Sequence, residues 1–183
     1  MNETKNKIDH LEATAIMKGS HGINGVVYFQ QSGSDAQSPV YIFGKISKLP
    51  KGRHGLHVHQ LAGDLVTNGK CTNLGQHFDT PNPGFDPNGQ MLEHRHGNPD
   101  DKSSHSGDLG NLEGAEKAEN GFEMETEKVS LYGANSIIGR SLVVHKYKDD
   151  FGSKNTTESL TDGNSGPPIA CGVIVWKDVV ITS

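Results

Sequence analysis

Short runs of alternating apolar and polar residues recur along this chain, separated by clusters of Gly, Asn, Asp, Ser and Pro. In a strand successive side chains point to opposite faces, so such alternation predicts half-buried β-strands. The pattern places strands at 13–18, 25–30, 40–46, 121–125, 141–145 and 170–176, with another run centred on Leu56-His57-Val58-His59. Val26-Val27-Tyr28-Phe29 and Val40-Tyr41-Ile42-Phe43 carry the β-branched and aromatic residues that fit a pleated surface. No stretch has the periodicity of a long amphipathic helix. Alternation fails over residues 63–109 and again over 146–168, which read as two long loops. The expectation is an all-β fold, an antiparallel sandwich or flattened barrel of about eight strands carrying those loops.

Composition narrows this picture. A chain of 183 residues is long enough for one domain with its own core and short for two. Its 23 glycines and 32% hydrophobic content favour a turn-rich β fold over a helical bundle. The formal charge of −5 comes without blocks of like charge, which argues against nucleic acid or an anionic membrane as a partner. The first nine residues are polar, with no apolar core of a signal segment, and no later run is long enough to span a bilayer. Cytosolic residence is therefore the default expectation. Cys71 and Cys171 stand one hundred positions apart, and in a reducing compartment two free thiols are the ordinary state.

The candidate chemistry is imidazole. His57 and His59, two apart in a strand, project from one face, with Leu56 and Val58 on the other. Such a pair on a rigid element suits copper or zinc. The first long loop adds His77 and then His96, His105 and Asp108 in the spacing H-x8-H-x2-D, while His145 ends a later strand. Three nitrogens and one carboxylate oxygen make a closed tetrahedral zinc set. Any one of these residues is explained as well by a solvated loop histidine. Jointly they are not, because a loop so poor in apolar residues cannot order itself by burial, whereas a metal supplies folding free energy directly.

From about residue 13 to residue 175 the chain resembles the Cu,Zn superoxide dismutases. The motifs carrying the resemblance are His57-Val58-His59, Cys71-Thr72, Gly75-Gln76-His77-Phe78, His96-Gly97, His105-Ser106-Gly107-Asp108-Leu109-Gly110-Asn111, Gly139-Arg140-Ser141-Leu142-Val143-Val144-His145, Asp149-Asp150, Gly163-Asn164 and Ala170-Cys171-Gly172-Val173-Ile174. The resemblance implies a Greek-key barrel of eight antiparallel strands over residues 13–178, with residues 1–12 as a flexible extension and 179–183 as a tail. It implies copper on His57, His59, His77 and His145, and zinc on His77, His96, His105 and Asp108. His77 would bridge the two metals. Asp149 would hydrogen-bond His57 and His96, and Cys71 and Cys171 would form an intramolecular disulfide. The implied reaction is superoxide dismutation in two half-reactions, with His77 carrying a proton and zinc ordering the loop. A homodimer and a copper chaperone are the implied partners.

Departures from the family pattern concern the substrate. Where the family has an arginine two residues before Ala170, this chain has Pro168, which offers neither charge nor donor. Residues 157–162 lack the lysine that helps guide the anion and carry Asp162 instead. Metal binding with slower than diffusion-limited turnover is the expectation, with Arg95 or Arg53 as candidate substitutes. His94 competes with His96 as a zinc ligand, and the spacing favours His96. The rival function is a dismutase-like protein that handles copper or regulates a partner without turnover. A chaperone role is disfavoured because no M-x-C-x-x-C or C-x-C copper motif is present and the copper set includes His145. A metal-free structural sandwich leaves the joint ligand pattern unexplained.

Overall fold

The computed structural model describes residues 10–177 except 34, 36, 66–67, 81–86, 91–92 and 117–118. The expected extension at 1–12 lies outside the described residues up to residue 9, and the expected tail at 179–183 lies wholly outside them. The strands are β1 (His10–Gly19), β2 (Asn24–Ser32), β3 (Val40–Ser47), β4 (Gly52–His59), β5 (Asp108–Gly114), β6 (Asn120–Thr126), β7 (Ser141–His145) and β8 (Pro168–Trp176), with one short helix, α1 (Thr157–Asp162). All the strand pairs are antiparallel, in the order β5-β4-β7-β8-β1-β2-β3-β6. β1–β2, β2–β3, β4–β5 and β7–β8 join sequence neighbours; β4–β7, β8–β1 and β3–β6 require Greek-key crossings. The edge strands β5 and β6 face each other across a cavity of about 170 Å³, which leaves the barrel nearly closed. No helix among the described residues is long and apolar enough to cross a membrane.

Alternation decides what the barrel holds. Ala13, Ala15 and Met17 of β1, Val27 and Phe29 of β2, Ile42 and Ile46 of β3, Leu56 and Val58 of β4, Leu142 and Val144 of β7, and Ala170 and Ile174 of β8 form one interior core. The intervening residues of β4 and β7, His57, His59, Val143 and His145, point outward yet are buried. They are covered by the two loops, so the histidines lie on the outer face of the wall under a lid of irregular chain. A second cluster of Leu74, Val143 and Cys171, with Leu65 and Cys71 against it, packs there. Cys71 and Cys171 form a disulfide that fastens the loop to β8.

Two elements depart from the sequence expectation. β5 falls partly within the stretch read as loop, because Asp108-Leu109-Gly110-Asn111-Leu112-Glu113-Gly114 carries two glycines and only two large apolar residues. Pairing with β4, in which His57 stands opposite Asp108 after a register shift, supplies what local propensity does not. α1 lies in the second loop. Thr156 caps it by accepting from the Ser159 backbone N–H at 3.3 Å, and Gly163 ends it in the left-handed conformation.

Candidate metal centre

Backbone contacts bring four distant segments together. An antiparallel bridge sets His77 opposite His59, and the Phe78 N–H donates to the Val58 carbonyl at 2.7 Å. Gly107 donates to the Phe78 carbonyl at 2.7 Å and accepts from Val58 N–H at 2.9 Å. A side chain at Gly107 would meet the Val58 carbonyl oxygen at 2.3 Å, so this crossing needs glycine. The first loop is thus stitched to β4 on both sides of its histidines. The second loop joins through the His96 N–H, which donates to the Leu160 carbonyl of α1 at 3.0 Å.

One group of potential metal donors is His57, His59, His77 and His145, all buried, with ligand atoms within 4.8 Å of one another. The hydrogen bonds of these rings fix which nitrogen is free. His59 Nδ1–H donates to the Gly75 carbonyl at 3.0 Å, and His145 Nδ1–H donates to the Gly166 carbonyl at 2.7 Å. Carbonyls only accept, so in the neutral rings both Nε2 atoms carry lone pairs. Those two Nε2 atoms face each other at 3.2 Å. Two acceptors cannot bond each other, and a cation between them resolves the conflict. His57 Nε2–H donates to Asp149 Oδ2 at 2.9 Å, leaving His57 Nδ1 buried and unpartnered, as His77 Nε2 is. Burial is the main cause that holds these rings neutral, pushing His59 down to about 3, His145 down to about 4 and His57 well below its ordinary value.

A second group contains His57, His77, His96 and Asp108. Asp108 Oδ1 lies 2.8 Å from His77 Nδ1 and 3.0 Å from His96 Nδ1, and the two imidazole nitrogens are 3.3 Å apart. His105 stands at its margin, with Nδ1 3.5 Å from Asp108 Oδ2 and otherwise unpartnered. Burial would raise the Asp108 carboxyl, but hydrogen bonds from His105, His77 and His96 overcome it and hold the group well below the usual carboxylate range. For His96 burial again opposes the charge, yet hydrogen bonds to Asp108 and Asp149 lift the ring to about 9. A carboxylate crowded by three imidazoles is a dense cation-binding donor set. His94 belongs to neither group. Its Nδ1 donates to the Asp79 carboxylate at 2.8 and 2.9 Å, which draws it aside from His96.

Asp149 couples the two groups. It is fully buried, accepting from His57 through Oδ2 and from His96 Nε2–H through Oδ1 at 2.7 Å. Asn111 holds it in place, accepting from the Asp149 N–H at 2.8 Å and donating to its carbonyl at 3.0 Å. Such outer partners fix ring tautomers and orientations. Two supporting residues carried no role in the sequence reading. Asn111 appeared only within a motif, and His54, buried between the carbonyl oxygens of His145 and Pro50 at 2.9 Å each, was not singled out. Neither ligates, and a spacing pattern built on metal donors has no means of finding them.

The centre opens on a cavity at His77. This cavity, of about 250 Å³, is lined by Gln60, Gln76, His77, Asp79, His94, Arg95, His105, Leu160 and Thr161. A larger groove, about 470 Å³, lies around Tyr28 and Phe43 on the outer face of β2 and β3, away from the histidines.

A family model for copper/zinc superoxide dismutase (SODC) matches residues 23–174, and the chain belongs to this family. Its activity is superoxide dismutation, with copper and zinc as cofactors. Among its relatives, "Superoxide dismutase [Cu-Zn] 5" of Dictyostelium discoideum is 41% identical over 169 residues, covering 92% of this chain and 100% of that protein.

Proposed function

We propose that this enzyme holds copper on His57, His59, His77 and His145, and zinc on His77, His96, His105 and Asp108, and that it turns over superoxide more slowly than is usual for its family. The observation that carries the assignment is the ring of His77. Its Nδ1 faces Asp108 and His96, while its Nε2 is buried and unpartnered beside the rings of His57 and His59, at centroid distances of 4.0 and 4.9 Å. One imidazole therefore presents a nitrogen to each donor set. Bound copper supplies reversible one-electron transfer, and zinc, with a filled d shell, supplies charge and order without redox.

The chain's own residues then do the rest. His59 and His145 are anchored by carbonyls that keep their Nε2 atoms free, so these two rings stay fixed through turnover. His57 and His96 are clamped through Asp149. His77 is held through Nδ1 by Asp108 at 2.8 Å, and its buried, unpartnered Nε2 would take up a proton and return it to the reduced substrate. Two superoxide ions and two protons give one dioxygen and one hydrogen peroxide, and His77 Nε2 is the site from which one of those protons comes.

The slower rate rests on Pro168. It opens β8 beside His145 and brings no cation to the centre. A fixed guanidinium that draws in and orients an anion raises the association rate, and its absence lowers it. Pulse radiolysis on protein of verified copper and zinc content tests this by comparing the native chain with Pro168→Arg. A slow native enzyme that the substitution accelerates supports the proposal. A native rate equal to that of an ordinary family member overturns the rate claim, and full metal loading without turnover in either form favours a copper-handling role.

A homodimer is the proposed assembly. Ile16 of β1 and Val175 of β8 are 61% and 46% exposed on adjacent strands. An apolar patch of this kind is suited to a second copy, and sedimentation equilibrium reads the mass directly. Cytosolic residence and delivery of copper by a chaperone complete the proposal.

A further inference from the structure

We propose that Arg95 is the residue that captures the anionic substrate, from the wall of the cavity that opens on His77. This inference rests on the dismutase reading. With a formal charge of −5 the protein as a whole repels an anion, so capture requires a local cation near the opening. The chain has three arginines. Arg53 pairs with Glu113 at 3.5 Å on the outer end of β4, and Arg140 is held by the carbonyls of Gln60 and Ser136 with its guanidinium 3.9 Å above the Phe78 ring. Arg95 lines the cavity with His77 and enters no ion pair among the described residues.

Its backbone is fixed from three sides. The Arg95 N–H donates to the Ser103 carbonyl at 3.0 Å, the preceding His94 is tied to Asp79, and the following His96 N–H is tied to Leu160 at 3.0 Å. The side chain is therefore mounted in the cavity wall on the same stretch of chain that positions His96. The carboxylates facing this region already accept hydrogen bonds, and the Asp101 carboxylate also feels the Arg95 charge. Asp79 accepts from His94, Thr80 and Ser106, and Asp101 accepts from the Ser103 N–H and hydroxyl, each at 2.9 Å. The remaining polar lining, Gln60, Gln76 and Thr161, is uncharged. A small monovalent anion entering the cavity thus meets one guanidinium in the wall it shares with His77.

The test uses copper- and zinc-loaded native protein, Arg95→Gln and Arg95→Lys. Two readouts are taken: the superoxide rate by pulse radiolysis across ionic strength, and azide affinity from the visible absorption of the loaded protein. Arg95→Gln is expected to lower the low-salt rate about two- to fivefold, with the gap closing as salt rises, and to weaken azide by a similar factor. Arg95→Lys, which keeps the charge, is expected to retain most of both. An unchanged rate, salt slope and azide affinity in Arg95→Gln overturns the proposal. So does an equal loss in both variants at every salt concentration, which would mean that position 95 acts only by mounting His96. If the native protein shows no turnover but azide binding still depends on Arg95, the capture site stands and the dismutase reading falls.

Discussion

Gly163 stands so close to His96 that a methyl group at position 163 would lie 2.4 Å from His96 Nε2 and 2.1 Å from Asp149 Oδ1. Gly163 also has φ 68°, a left-handed conformation that costs other residues energy. The C-cap of α1 is thus packed directly on the hydrogen bond that joins the two donor groups. Gly163→Ala is expected to displace Asp149 or His96 and to reduce zinc affinity by about 10-fold or more. A chelator competition titration of zinc on the copper-loaded protein measures it, and an unchanged affinity would show that the helix end relaxes freely.

Asp149 makes a sharper case because it touches both groups and, in the proposed assignment, binds neither metal. Asp149→Asn leaves the volume nearly unchanged but replaces one accepting oxygen with a donor, which opposes the N–H of either His57 or His96. Both metal affinities are expected to fall, by about 10- to 100-fold on the side that loses its acceptor. Metal analysis after dialysis against graded chelator separates the two sites. Loss confined to activity, with both metals retained, would contradict the orienting role.

These two residues show how far the sequence could be read. The alternation of β1 to β4 and β6 to β8 comes from a barrel with a dry inside, and a period of two records that directly. The histidines were legible because metal donors are few in kind and spaced by strand geometry: His57 and His59 do lie on one face, opposite Leu56 and Val58. β5 was hidden because its pairing with β4 is long-range and its glycines serve close packing, as at Gly114, where a Cβ would meet the Pro50 carbonyl oxygen at 2.0 Å. His94 and His96 could be ranked by spacing alone, yet the reason they part is Asp79, a carboxylate fifteen residues away from His94. Such a partner is set by the folded loop and leaves no periodic trace.

The disulfide links the copper side to the loop that holds it. Cys71 lies four residues before Gly75, whose carbonyl fixes His59, and Cys171 lies in β8 opposite Val143. Cys71→Ser with Cys171→Ser is expected to cost about 2–5 kcal/mol of stability. It should also loosen the Gly75 contact, so the copper spectrum of the variant should broaden. Urea unfolding and electron paramagnetic resonance check the two effects. A fully stable variant with a sharp native copper signal would show that packing of Leu74 and Val143 alone holds the loop.

The metal-free protein should be most stable near pH 6.5, with losses on both sides. His57, His59 and His145 have folded-state values below their unfolded value of 6.5, two of them at about 3 and about 4. As pH falls below 6.5 the unfolded chain takes up protons that the folded chain refuses, so stability drops from there toward pH 4. His96 has the opposite sign, with a folded value of about 9. Its contribution is fully present below 6.5 and is lost as pH rises toward 9. Each group that binds a proton in only one state tilts stability by about 1.4 kcal/mol per pH unit. Urea midpoints of the metal-free protein at pH 5, 6.5 and 8.5 should therefore peak at the middle value. Bound metal occupies the same nitrogens and displaces their protons, so the loaded protein should show a much flatter profile between pH 5 and 8.5. A metal-free profile that rises steadily from pH 5 to 8.5 would mean that His96 carries no proton between Asp108 and Asp149.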